Sequence, residues 1–291
     1  MFNRVYTYLK RISDSFSDHQ CSIMASACAY CALLSLVPLL VVGISVLGYL
    51  MGGSKETLGQ VMKSISGYVP ISPLFLQSTL QRVLADRGMI GFFGLIGLLI
   101  SAHQIFLSLM PAMNQIWNVK ERRNWARQRV IAVGLTLITL MLLGADLVIS
   151  GLIAYLQNIE LPLLNQKIGS PVLTRIGIGL LPPIITTFLC AYLYRTLPDT
   201  RVPWKSAIIG AGIAACLWEV IKVGFGIFLQ HAHSYDRLYG SLSSLVILVV
   251  WMYYSMAILL LGAEIAADYA THRSDEKSQL EGANSVPKDL A

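Results

Sequence analysis

A polytopic α-helical membrane bundle is the fold class this sequence predicts: one domain of six transmembrane helices, with amphipathic helices at its surface. Three observations predict it. Of 291 residues, 55% are hydrophobic and only 13% charged, whereas an average soluble domain is about 45–50% apolar and about 25% charged. So few charges cannot cover a soluble fold of this size. Six apolar segments, at about 25–50, 89–112, 130–156, 174–195, 204–229 and 241–267, are long enough for a hydrocarbon core that takes roughly 20 helical residues. The third observation is a charge asymmetry. Fourteen Lys and Arg fall in the amino-terminal tail, the loop after span two, the loop between spans four and five, and the carboxyl tail; seven fall on the other side. The positive-inside bias then sets both termini in the cytoplasm, and an even number of spans requires them to share a side. The formal net charge of +6 fits cytoplasmic loops and anionic lipid before it fits nucleic acid.

Taken in order, the domain covers residues 1–270. Residues 1–20 place Phe2, Val5, Tyr6, Leu9, Ile12 and Phe16 at helical spacing among Arg4, Lys10, Arg11, Asp14 and Asp18, which suits a helix lying on the cytoplasmic surface rather than a signal peptide. Pro38 interrupts span one. In the first external loop, 51–88, two apolar stripes (Leu58, Val61, Met62, Ile65 and Leu76, Leu80, Val83, Leu84) flank Pro70 and Pro73. They read as two short helices, either a packing cap or a lid over an outward-facing cavity. Pro182 and Pro183 interrupt span four. Residues 271–291 are polar and read as a disordered tail.

The loop after span two interleaves Trp117 and Trp125 with Lys120, Arg122, Arg123, Arg127 and Arg129. Aromatics beside cations hold single-stranded nucleic acid, and they also form belts over anionic headgroups. The position between two spans favours lipid, so no nucleic-acid partner is expected. The five cysteines sit mostly within apolar stretches as packing residues. The Cys28-x-x-Cys31 pair lies inside a span, away from any redox or zinc context. With no phosphate-binding Gly-rich loop, no H-x-x-x-H and no metal-ligand spacing, the expectation is a non-enzyme without cofactor or metal.

Ionisable groups at membrane depth are costly, so those that occur are candidate sites. Glu219 and Lys222, three apart in span five, share a helix face. They read either as an internal structural ion pair or as a site for substrate or protons. Asp146 in span three and Glu264 in span six sit in similar strings, Leu142-Leu143-Gly144-Ala145-Asp146 and Leu260-Leu261-Gly262-Ala263-Glu264. His103 and Glu219 lie at matching depths of spans two and five, and Pro38 answers Pro182-Pro183. These echoes are those of an inverted repeat whose broken helices flank a central site. Chance could also supply them.

The order of motifs resembles the YihY / virulence factor BrkB family of bacterial inner-membrane proteins. The matching stretches run from Ala29-Tyr30-Cys31-Ala32-Leu33-Leu34-Ser35-Leu36-Val37-Pro38 through Asn114-Gln115-Ile116-Trp117-Asn118-Val119, and through Leu197-Pro198-Asp199 ahead of Val202-Pro203-Trp204. They continue as Trp218-Glu219, Tyr239-Gly240-Ser241-Leu242, Trp251-Met252-Tyr253-Tyr254 and Leu261-Gly262-Ala263-Glu264. The resemblance covers roughly residues 15–270. It implies six spans and an inner-membrane location, without a settled activity. Family members have carried a ribonuclease BN label, held to be a misassignment; others are associated with serum resistance or tolerance of altered lipopolysaccharide precursors. The expectation is therefore a transporter or flippase-like protein for an amphipathic or lipid-linked substrate, with membrane lipids as its partners. The alternatives are a non-transporting scaffold for envelope assembly and, disfavoured, transfer-RNA processing. The sequence names neither substrate, energy source nor oligomeric state.

Overall fold

The computed structural model describes residues 2–50, 87–120, 123–157, 171–231 and 243–284, and among them every regular element is helical. Seven helices follow one another: α1 (Phe2–Asp18), α2 (Cys21–Leu50), α3 (Arg87–Ile116), α4 (Trp125–Gln157), α5 (Pro171–Thr196), α6 (Trp204–His231) and α7 (Ser243–Asn284). Each expected apolar segment falls on one of α2 to α7. The stripes expected within 51–86 lie outside the described residues.

Three helical stretches are long and apolar enough to cross a membrane among the described residues: Trp125–Leu142, Trp204–Phe228 and Leu245–His272. A fourth arises if Tyr6–Asp18 and Cys21–Leu36, bent by 63°, are taken as one span. Their outward faces carry large apolar side chains such as Val130, Met141, Val220 and Val223, all more than 60% exposed. Patches of that kind belong against lipid.

Two features differ from the sequence expectation. The helices are not broken at their prolines. Pro38 lies inside continuous α2, and α5 runs unbroken through Pro182 and Pro183. A proline removes one backbone donor and crowds the preceding turn, and helices in lipid accommodate this through neighbouring helices and hydroxyl side chains. One turn further on, the Thr187 hydroxyl donates to the carbonyl of Pro183 at 2.7 Å, a bond within its own helix that does not replace the donors the prolines lack. A further proline inside a helix, Pro111 of α3, drew no notice in the sequence. The second difference is the tail. α7 does not stop near residue 270 but continues to Asn284. Half of that stretch is Arg, Glu, Lys, Gln, Leu or Ala, which favour helix without needing an apolar face, so polarity alone was a poor sign of disorder there.

The helix ends explain the turns. Asn118 adopts a left-handed conformation, φ 49°, just past α3. The Val119 N–H donates to Asn114 O at 2.9 Å and the Asn118 N–H to Gln115 O at 3.1 Å, the bond pair of a Schellman cap, for which Asn is second only to Gly. Between α1 and α2 the left-handed residue is Gln20, φ 53°. The Gln20 carbonyl accepts from the N–H groups of Ile23 and Met24, so the residue that closes one helix opens the next at a sharp angle.

α7 occupies the middle of the bundle. It packs against α2 and α6 most extensively and also touches α1, α3 and α5, while α2 lies on α3, α3 on α4, and α5 on α6. The core is rich in small residues: Ala207, Ala211, Ala214 and Ala215 of α6 and Ala263, Ala266 and Ala267 of α7 are all buried. Small side chains let membrane helices approach closely. The closest approach is at Gly210 and Gly262. A Cβ on Gly210 would collide with the Gly262 carbonyl and lie 2.7 Å from the Ala266 Cβ; one on Gly262 would meet the Tyr194 hydroxyl and lie 2.6 Å from the Ala214 Cβ. Gly212, one position beyond Ala211, has open space around it. Gly210→Ala should therefore destabilise by about 1–3 kcal/mol, the cost of overpacking, while Gly212→Ala should not. Melting temperatures of the two variants in detergent measure the contrast, and equal values would mean the backbones do not meet at Gly210.

Candidate functional site

The ionisable groups of the bundle separate into three places. The first is where α1 meets α7. Glu264 is 3% exposed, and its Oε1 lies 2.6 Å from His19 Nδ1. The Cys21 thiol donates to the same oxygen at 3.4 Å. One helical turn along α7, Asp268 pairs with Arg11 of α1 at 2.9 Å and lies 3.6 Å from His272 Nε2. The tight turn at Gln20 delivers His19 to Glu264, and Ile12 and Phe16 pack α1 down against the core. His19 belongs to no metal-ligand pattern in the sequence; its partner is 245 positions away, and no local signal connects them.

The second place is the middle of α6. Glu219 Oε1 accepts from Lys222 Nζ at 2.7 Å, as the spacing of three predicts. The pair is not sealed in the protein core, since the two side chains are 39% and 29% exposed, Glu219 and Lys222 respectively. Aromatic rings border it. Trp218 and Trp251 stand 5.5 Å apart between centroids and Phe225 lies 4.6 Å from Trp251, joining α6 to α7 beside the charges.

The third place is a clasp between the loops that leave α3 and α5. Asn114 Nδ2 donates to Asp199 Oδ2 at 2.9 Å, and the Asp199 N–H returns a bond to Asn114 Oδ1 at 2.8 Å. The Arg123 N–H donates to Asp199 Oδ2, its Nη1 and Nη2 donate to the carbonyls of Thr196 and Pro198, and its Nε stands 3.1 Å from Asp199 Oδ1. The Asp199 side chain is 1% exposed. This buried charge is thus paired and hydrogen-bonded, which is the condition for its being tolerated. The clasp explains why Asn114 and the Leu197-Pro198-Asp199 string accompany one another in the sequence. It also corrects one expectation: Arg123 turns inward and leaves the headgroup-facing set. Trp117 joins it, its indole Nε1 buried with no hydrogen-bond partner among the described residues. Lys120, Trp125, Arg127 and Arg129 remain at the surface, and Arg122 lies outside the described residues.

Of the expected intramembrane set, Glu219 and Lys222 are brought together, and Glu264 is set apart from them. Gly210, which packs on Gly262, is nine residues from Glu219 along α6, about 13 Å of helix. His103 is half-buried on α3, and Pro38 lies against Gly97 of α3, 3.8 Å from a Cβ placed there. Asp146 belongs to α4, with its side chain outside the described residues.

Fold and composition together define a helical integral membrane protein. Comparison with known proteins sharpens that class. A family model described as virulence factor BrkB matches residues 12–286. The chain belongs to the virulence factor BrkB family. It is 32% identical over 262 residues to a UPF0761 membrane protein of Vibrio vulnificus strain YJ016, covering 89% of this chain and 81% of that one. A UPF0761 membrane protein of Tolumonas auensis is 30% identical over 84% of this chain and 79% of its own length. One from Alkalilimnicola ehrlichii is 29% identical over 90% of this chain, which spans 58% of that relative's length. No solved structure matches.

The geometry at Glu264 yields a stability test. Glu264→Gln keeps an acceptor for His19 and Cys21, whereas Glu264→Leu strands both. Breaking a buried pair costs about 3–5 kcal/mol, and replacing both partners with apolar residues is often neutral. Glu264→Leu should therefore melt well below Glu264→Gln, and His19→Leu with Glu264→Leu should recover much of the loss. A double variant as unstable as Glu264→Leu alone would show that His19 is not the partner that matters.

Proposed function

We propose that this chain is a six-span protein of the bacterial inner membrane, with both termini cytoplasmic, and that it moves an amphipathic or lipid-linked substrate across the membrane. It is a transporter or flippase rather than an enzyme. The observation that carries this reading is the exposure of the Glu219–Lys222 pair, halfway along a helix of 28 residues. A pair kept only to stabilise the bundle gains from burial away from lipid, since each charge at membrane depth costs about 3 kcal/mol or more. This pair stands open at the side of the bundle, next to the aromatic surface of Trp218, Phe225 and Trp251. A molecule with a polar head and an apolar body, entering sideways from the bilayer, would find complementary groups for both parts there. The lengths of α2 to α7 and the basic asymmetry support six spans with both termini cytoplasmic. An impermeant thiol reagent added from outside should fail to label a cysteine placed at Gln279.

The test replaces both charges. Glu219→Leu with Lys222→Leu removes the pair without stranding a partner, so the protein should insert and melt as the parent does. It should nevertheless fail to restore an envelope-stress phenotype in a strain lacking the gene. A fully active double-leucine protein would sink the transport reading at this site and favour a scaffold in envelope assembly.

A further inference from the structure

The clasp places two basic loops side by side. Arg123 bonds the carbonyls of Thr196 and Pro198. Trp125 is two residues from Arg123, and Arg195 is next to Thr196, so the start of α4 and the end of α5 are held within a few residues of each other. Across 118–129 and 195–205 the sequence has eight Lys and Arg against two carboxylates, Glu121 and Asp199. Asp199 is buried and consumed by Arg123 and Asn114. Six cations stand exposed: Lys120, Arg127, Arg129, Arg195, Arg201 and Lys205.

Two of the exposed cations lie on indole faces. The Arg129 guanidinium is 4.3 Å from the Trp125 ring centroid, and that of Arg195 is 4.5 Å from Trp204. Trp125 and Trp204 are the first residues of their helices and both are exposed, by 69% and 46%. Above them begin the apolar outward faces of α4 and α6, with Val130 and Ile208 exposed within a turn or so. An indole at the border between an apolar belt and a charged end is an interfacial anchor. A guanidinium laid on an indole has one flat face covered and its N–H edge turned outward toward phosphate oxygens; Arg195 spends one of those N–H groups on the Val202 carbonyl, Nη1 donating at 2.9 Å.

We propose that the two clasped loops form one seat for the phosphate headgroups of anionic phospholipid in the leaflet at this end of the bundle. The sequence reading covered only the first loop. The second loop enters through the clasp, which spends Asp199 internally and so leaves the seat without an exposed described carboxylate. Charge complementarity selects an anionic leaflet over a zwitterionic one, and the paired indoles at the base of the apolar belt select a bilayer over a soluble polyanion.

The experiment uses the full chain in nanodiscs of phosphatidylcholine with phosphatidylglycerol as the minor lipid. Native mass spectrometry after release counts the phosphatidylglycerol retained. The variant is Arg129→Gln with Lys205→Gln, two exposed side chains outside the clasp. Arg127→Gln with Arg201→Gln serves as a second variant should the first melt lower in pure phosphatidylcholine. Each cation near an anionic surface is worth about fivefold, so two removals should weaken retention about twenty-five-fold. Raising ionic strength should weaken the parent's retention similarly. Equal retention by parent and variant overturns the proposal. So does binding of a single-stranded oligoribonucleotide that the variant abolishes while phosphatidylglycerol stays bound.

Discussion

Two backbones touch at Gly210 and Gly262, and the arrangement of the bundle follows from that contact. In lipid there is no hydrophobic force between helices, so packing and hydrogen bonds must hold them. α7 reaches the centre because its neighbour can come close enough for carbonyl and Cα to meet. Tyr194 uses the same gap. Its ring is fully buried and its hydroxyl donates to the Leu259 carbonyl at 2.7 Å, tying α5 to α7 one turn before Gly262. Two residues after Gly262 comes Glu264, so its level along the helix is fixed by where the glycines cross. The latch of α1 on α7 thus depends on a contact made by neither His19 nor Arg11.

Hydroxyl groups show the same economy on a smaller scale. Ser35, Thr136, Ser255 and Thr271 each donate to a carbonyl three or four residues earlier in their own helix. A polar side chain satisfied within its own turn can sit anywhere in an apolar bundle without demanding a partner. Such residues therefore say little about function, and attention belongs to groups that cannot be satisfied locally. Arg123, Asp199 and Glu264 are of that kind, each with named partners from other elements. Glu219 is paired only with Lys222, from its own helix, and left partly open.

Much of this was legible in the sequence. Long apolar runs with few charges announce helices in lipid, because no other backbone arrangement short of a closed barrel satisfies its own polar groups there. The Glu219–Lys222 pair was equally legible, since a spacing of three fixes proximity within one helix. The rest was hidden for physical reasons. His19 and Glu264 meet through tertiary packing, and so do Asn114 and Asp199, whose strings stand out in the sequence without showing that they interlock. Pro38, Pro182 and Pro183 looked like breaks because proline propensities are measured where water competes for the backbone; in a packed apolar setting the helix continues through them. The amphipathic reading of α1 was right about the helix, while its packing against α7 was hidden. Of its apolar side chains among the described residues, Ile12 and Phe16 turn toward the core, while Tyr6 and Leu9 remain exposed.

The contrast between the two acidic sites bears on mechanism. Glu264 lies at the α1 junction, toward the end of the apolar stretch Leu245–His272, and is almost fully enclosed, bonded to His19 and the Cys21 thiol. Glu219 lies midway along α6, where exposure to lipid is most costly, yet more than a third of it is open. Stability alone would favour the reverse, with the deep charge sealed and the peripheral charge left to solvent. Leaving the deep pair partly open beside Trp218, Phe225 and Trp251 carries a cost in lipid that the enclosed Glu264 avoids. Supporting that exposure requires a rigid α6, and the close α6–α7 seam that begins at Gly210 supplies it. The seam at Gly210 and the open pair at Glu219 thus lie about 13 Å apart along one helix, the first packed closely on α7 and the second partly exposed.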